Sequence, residues 1–289
     1  MTNQTLPSGI LEAPARGAAR RVSPSSAHRA AGAVALAGVL ALSCATSGVN
    51  RGDFNLISLE EEWELGAQLA RDLEQKLDLV KDGRAVRYLN EVGNAIVRRT
   101  ELAQAPWEFH LVNDPAINAF NIPGGHVYVY KGLVEAAPDA AAFAGVLAHE
   151  IGHGVARHGT EQLSKSYGLS VLGGVLLGRN PAVYEQILAQ ILAGGAIAKF
   201  SRADEREADE LGVRYSHQAG YDPLGLARML EVLLDQRRRS PGRVESFFAT
   251  HPATEERIAD TRQMAAALEG GRRNDPAFDD FQRVAARAN

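Results

Sequence analysis

The spacing of apolar positions changes along this chain, and each change predicts a different element. The stretch "SLEEEWELGAQLARDLEQKL" carries a helical spacing, with Ser58 as N-cap and Glu61 three residues on as its capping-box partner. A second helical pattern covers "AVRYLNEVGNAIVRRT". The period then shortens. "WEFHLV", "AINAF" and "HVYVY" are short β-branched or aromatic runs separated by "NDP" and "IPGG", which predicts a small antiparallel sheet. From Pro138 onward the pattern is helical almost to the end, with breaks at Gly173-Gly174, Asn180-Pro181, "AGYDP" and "RSPGR". The fold class expected is therefore α+β and mainly α. The apolar stretch from Tyr167 to Phe200 is cut by Arg179, Pro181 and Glu185. Its pieces fall short of the ~20 residues a bilayer span needs, so two buried helices are expected.

Composition narrows the function classes without choosing one. The chain has 289 residues, 45% apolar and 23% charged, with a net charge of -4. That suits a soluble globular protein, and no basic field points to a nucleic-acid partner. A single cysteine, Cys44, excludes an internal disulfide framework and a cysteine-rich zinc site.

The position of Cys44 carries more than the count. Residues 13–52 hold no Asp or Glu, carry Arg16, Arg20, Arg21 and Arg29, and run into "AAGAVALAGVLALSC". A basic segment followed by a short apolar run and small residues is the pattern of a secretory signal peptide. "LALSCA" further resembles a bacterial lipobox, whose cysteine is lipidated, with Ala41 standing where leucine is usual. Ordinary cleavage after Ala45 is the alternative. The expected organisation is a signal peptide with lipobox over 1–44, a linker over 45–57 and a catalytic domain over 58–289. That makes the protein exported to the periplasm and held at the outer membrane as a lipoprotein through Cys44.

The chemistry concentrates in "LAHEIGHGVARH", which holds three of the 8 histidines. On a helix His149 and His153 differ by about 40° in direction and stack one turn apart, so both imidazoles can converge on one ion. Glu150 points about 100° away from His149, where it can reach a water at the metal as general base. Downstream, "SRADEREADELG" puts Glu205 and Asp209 on one helix face. Glu205 could complete a His-His-Glu set, and Asp209 could orient a ligand histidine. Taken alone, the same segment also fits a solvated acidic helix in which Arg202 and Arg206 make exposed ion pairs.

"INAFNIPGGHVYVYKGL", "HEIGHGVARH", "SRADEREADELG" and "THPATEERI", in that order, resemble the zinc metallopeptidase family that includes HtpX, the CAAX prenyl proteases and BepA (metallopeptidase family forty-eight). The resemblance covers about Ser58 to Ala267. It implies a gluzincin-type metallopeptidase domain whose HExxH helix supplies the active site. It further implies one zinc per chain held by His149, His153 and Glu205, with Glu150 as the catalytic residue. The chain looks most similar to short, exported, lipoprotein-like members associated with envelope protein quality control. Unfolded or misassembled envelope proteins are the substrates so implied.

Other residues extend this expectation. Gly124 and Gly125 leave room for close backbone approach, so the "NAFNIPGGHVYVY" strand is a candidate substrate edge, with Asn118 and His126 beside it. A plain Pro-Gly-Gly turn with His126 on its solvent face is the alternative. His158, about 180° round the helix from His149, is left out of the metal set and expected to cap the helix C-terminus. His251 precedes a helix, with Pro252 fixing the turn. It is expected either as a surface histidine or over the zinc, plugging the open position at rest or steadying the oxyanion. Two competing functions remain. A deformylase-type hydrolase would need a cysteine ligand, and the only cysteine lies in the leader. A zinc-retaining chaperone or binding lipoprotein with latent peptidase activity has no evident use for Glu150.

Overall fold

The computed structural model describes Val49 and residues 54–194, 199–252 and 254–288. The chain divides after Leu42, and every described residue belongs to the second unit, Ser43–Asn289. The expected leader, Cys44 and most of the expected linker lie outside the described residues.

Helix α1 (Leu59–Lys76) begins where expected: the Ser58 hydroxyl accepts from Glu61 N at 3.2 Å, and Ser58 N donates to the Glu61 carboxylate at 2.7 Å. Helix α2 (Gly83–Val97) is capped by Asp82, which accepts from Arg84 N and Ala85 N. The three strands are β1 (Glu108–Val112), β2 (Ala119–Ile122) and β3 (His126–Tyr130). Their order is β1-β3-β2, with β2 antiparallel to β3 but β1 parallel to it. The wholly antiparallel sheet expected from sequence is thus corrected to a mixed one. The tight turn at Pro123-Gly124-Gly125 joins β2 to β3, while β1 reaches its place at the other side of β3 from outside that hairpin. Local turn signals specify a hairpin but not the direction of a non-sequential neighbour.

After a short α3 (Lys131–Ala136) comes α4 (Ala140–Val155), the helix carrying "HEIGH". All its residues are buried. Asp139 caps it, accepting from Ala142 N at 2.8 Å and also binding Arg228 and Arg273. Small residues over its length let neighbours close in on every side; a Cβ on Gly145, for instance, would meet Leu226 N at 2.5 Å. A polar motif on such a helix is forced into the core.

Helix α4 ends because Arg157 adopts a left-handed conformation (φ 61°), the one non-glycine positive φ among the described residues. Its guanidinium donates to the Glu62 carboxylate at 2.6 Å and to Ile57 O at 2.7 Å, tying the turn to α1. Helix α5 (His158–Leu176) starts immediately. Its backbone breaks at Gly168 (φ 70°), not at Gly173-Gly174 as the pattern suggested. Helix α6 (Pro181–Gly194) buries only Ile187, Leu188 and Ile191, and Leu177 and Leu192 are exposed. The two buried helices expected here each bury one side only. No helix among the described residues is long and apolar enough to cross a membrane.

The remaining helices are α7 (Arg202–Gln218), α8 (Gly225–Arg239), α9 (Pro241–Thr250), α10 (Glu255–Ala265) and α11 (Pro276–Arg287). Helix α7 opens on a Ser201–Asp204 capping box and packs along α4 so closely that a Cβ on Gly212 would come 3.1 Å from the His149 backbone. One apolar core joins α2, α4, α7, α8 and α11 with the sheet, and a second lies between α1, the other sheet face and α5–α6.

The tightest backbone approach is between α1 and the β2–β3 turn, where a Cβ on Gly66 would stand 2.0 Å from Pro123 O. Neither backbone can yield without moving its element. Gly66→Ala is expected to cost about 1–3 kcal/mol of stability, the range for overpacking, read as a lower denaturant midpoint at unchanged m-value.

Candidate metal centre

Helix α4 delivers His149, Glu150 and His153; α7 delivers Glu205 and Asp209; the C-terminus of α9 delivers His251; and α10 delivers Arg257. The ring nitrogens His149 Nε2 and His153 Nε2 stand 3.1 Å apart, each pointing into the same small space. The Glu205 carboxylate closes the third side, 3.5 Å from His153 Nε2 and 3.8 Å from His149 Nε2. His251 enters from the fourth, its Nδ1 2.9 Å from Glu205 Oε1 and 3.5 Å from His149 Nε2. One ligand atom from each of His149, His153, Glu205 and His251 lies within 4.8 Å of the others, and all four residues are buried. The surface-histidine alternative for His251 is thereby corrected: it is wholly inaccessible.

The charges are arranged with equal economy. Arg257 donates to both Asp209 oxygens, at 2.8 and 2.6 Å, and also pairs with Glu205 Oε2. Asp209 Oδ1 in turn lies 3.0 Å from His149 Nδ1, on the side of the ring away from the cluster. Burial disfavours charge on Glu205, but His251, His153 and Arg257 outweigh it and hold its carboxyl well below the usual range. Burial likewise works against ionised Asp209, and Arg257 and His149 overcome it. The acidic-helix alternative for this segment fails because Glu205 and Asp209 face inward, while Arg206 makes its exposed pair with Asp260 of α10.

Glu150 differs from both. It is fully buried and neither carboxylate oxygen has a hydrogen-bond partner; His251 Nε2 lies 3.7 Å from Oε1. Burial raises its pKa, with His251 and His149 opposing. An ionisable side chain kept dry and unpaired in the core is costly and calls for a partner the chain itself does not supply.

The donor set fits zinc. Burial holds His153 well below its ordinary pKa, so its ring is neutral and offers a lone pair. Two imidazoles with a carboxylate are a zinc ligand set that keeps one position open, and an unpaired carboxylate beside that position has a use there.

Three neighbours escaped the pattern. His158 caps nothing: it starts α5, with Nδ1 2.9 Å from His153 Nδ1 and Nε2 3.3 Å from Glu207, so it steadies the ring of a ligand candidate. Its angle on a continuing α4 was irrelevant because the chain turns at Arg157. Phe200 stacks on His153 with centroids 4.0 Å apart, and no motif marks it. Arg257 sits inside "THPATEERI", yet spacing alone could not tell which way it faces.

The candidate substrate residues lie along the sheet. Asn118 immediately precedes β2 and is buried, its Oδ1 without a hydrogen-bond partner. Gly124 and Gly125 (φ 83° and 76°) are approached by the protein's own α1 and Trp107, a packing reason for glycine that the pattern did not reveal. His126 is buried, not on a solvent face. Strand β2 forms one edge of the sheet, and Asn121 on it comes close to Gly154 of α4.

Comparison with known proteins follows the same residues. Residues 84–265 match Peptidase family M48. The chain is 33% identical over 218 residues to the beta-barrel assembly-enhancing protease of Escherichia coli (strain K12), covering 72% of this chain and 45% of that protein. It is 30% identical over 212 residues to the mitochondrial metalloendopeptidase OMA1 of Schizosaccharomyces pombe, covering 72% and 62%. The match to the OMA1 of Saccharomyces cerevisiae is 35% over 158 residues, covering 53% and 45%. The chain thus spans about half the length of the curated relatives it matches. Since the family match runs through more than half of the chain, including α4 and Glu205, the chain belongs to Peptidase family M48, a family of zinc metallopeptidases.

Proposed function

We propose that this chain is a zinc metalloendopeptidase acting on unfolded or misassembled proteins of the cell envelope. The observation that carries the peptidase reading is Glu150: buried, unpaired, and set beside the His149–His153–Glu205 cluster. Zinc held by those three residues would supply Lewis acidity to a peptide carbonyl and acidify a water. Glu150 then takes a proton from the attacking water and passes it to the leaving amine nitrogen, its raised pKa suiting it to hold that proton between the two events. Asp209 orients His149 through Nδ1, and Arg257 keeps Asp209 and Glu205 ionised. The outer edge of β2 is unpaired within the sheet, which supports its pairing with an extended substrate, Asn118 offering an amide at one end.

His251 supports a resting-state plug. Its ring stands where a fourth ligand would stand, on a turn between α9 and α10. Burial opposes its charged form, but Glu205 and Glu150 outweigh that and raise its pKa, so the plug, which needs the neutral ring, weakens as His251 protonates. Substrate entry requires this turn to move aside.

The substrate class is supported by the E. coli relative, a beta-barrel assembly-enhancing protease. The location is supported by the leader pattern and Cys44, which we propose as the lipid anchor at the outer membrane.

Glu150→Gln is expected to keep its zinc and lose about 10²–10⁴-fold in peptide cleavage; elemental analysis beside a peptide assay checks both, and retained cleavage would overturn the assignment. Glu205→Ala is expected to lose the catalytic zinc on dialysis.

His251→Ala is expected to raise cleavage of an unfolded substrate several-fold and to provoke self-cleavage. A lower turnover with zinc still bound would assign His251 to oxyanion support instead.

Cys44→Ala is expected to move the protein from the membrane to the soluble periplasmic fraction. Persistence on the membrane after a salt wash would place the anchor elsewhere.

A further inference from the structure

The sheet carries a second group of metal-ligating side chains that the peptidase reaction does not use. Glu108 and His126 are Cα partners across the parallel β1–β3 pair, and His110 follows two residues along β1, so all three project from one sheet face. One ligand atom from each lies within 4.8 Å of the others. Glu108 Oε2 is 3.9 Å from His110 Nε2 and 3.8 Å from His126 Nδ1. Those two ring nitrogens are buried, and neither has a hydrogen-bond partner. The His126 side chain is only 8% exposed and that of His110 11%.

Packing holds both rings in position. His110 stacks on Tyr128 with centroids 4.5 Å apart, Tyr128 on Phe120 at 4.8 Å, and His110 faces His126 at 5.7 Å. Both rings are neutral. Burial, then His126, hold His110 down at about 4, and burial lowers His126 despite the opposing charge of Glu74. A neutral imidazole carries a lone pair on one ring nitrogen, which a metal ion can take. Glu74 of α1 lies 3.9 Å from the other nitrogen of His110, Nδ1, beyond direct hydrogen-bond reach.

We propose that Glu108, His110 and His126 form a second metal site, selective for zinc-like divalent transition ions, that fastens β1 to β3 beside α1. Two imidazoles with one carboxylate suit zinc over the harder magnesium or calcium. Tetrahedral zinc places its ligand atoms about 3.3 Å apart, closer than the 3.9 and 3.8 Å of the two Glu108 contacts, so Glu108 has to move inward on binding. Its side chain is 57% exposed and free to do so, and the exposed side leaves room for a water as fourth ligand. The two unpartnered ring nitrogens are thereby satisfied. This site is separate from the α4 cluster and does not depend on the peptidase reading.

The test is zinc content of the full chain after exhaustive dialysis, with zinc alone as the probe. Wild type is expected to hold two zinc ions per chain, and Glu108→Gln and His110→Asn one each, while Glu205→Ala loses the other ion. Glu108 is exposed enough for its variant to fold, and circular dichroism confirms that. Zinc added beyond the first equivalent is expected to raise the Tm of wild type and not that of Glu108→Gln. One zinc in wild type with no change on Glu108→Gln overturns the proposal, as do two zinc ions in wild type and in both sheet variants.

Discussion

Everything at the cluster depends on keeping carboxylates ionised in a place that excludes water. Glu205 and Asp209 are almost completely buried, and an isolated buried carboxylate would protonate. His251 and His153 with Arg257 prevent that at Glu205, Arg257 with His149 prevents it at Asp209, and the charge of Arg257 is sustained by both carboxylates. Such a buried ionic group adds little net stability, because desolvation offsets attraction. What it does is set a charge state: a negative Glu205 beside the neutral ring of His153 is a cation site, whereas a protonated one is not. The position of α10 relative to α7 is therefore as much a part of the centre as the motif on α4.

The scaffold is organised to hold that arrangement at short range. Helix α4 lies in the middle of the fold with small residues wherever a neighbour must approach, which lets α7 set Glu205 opposite His149 and His153. The helix cannot run on, because Arg157 turns left-handed and anchors to Glu62 and Ile57. That turn places His158 against His153 and fixes α1 against the far end of the site. Burial raises the Glu62 carboxyl even with Arg157 beside it, so this pair too specifies a geometry more than it stabilises one. Glu150 is the exception whose carboxylate oxygens the scaffold leaves without a hydrogen bond.

The leading elements and the HExxH pair were legible from sequence because they are local. Ser58 with Glu61, and His149 with His153, depend on one turn of helix, whose geometry does not change with surroundings. The direction of β1 was not legible, since it depends on which side of the hairpin a distant strand joins. The break at Gly168 was missed for a related reason: glycine permits a left-handed residue, and only packing decides which of several glycines adopts it. The glycines at 124 and 125 were noticed for a substrate approach, yet their neighbours include α1, from sixty residues earlier.

By itself the sequence determined the chemistry on offer: two imidazoles that converge, a carboxylate one residue away, an acidic pair one turn apart, and a lone cysteine after an apolar run. These follow from bonded geometry and residue type. Tertiary structure alone decided which groups face one another: that His251 completes the cluster rather than lying at the surface, that Arg257 binds Asp209 and Glu205, that His158 supports His153, and that Glu108, His110 and His126 meet on the sheet. Each of these is a contact between elements far apart in sequence, set by which faces bury together, and side-chain spacing along one element carries no information about its partner's.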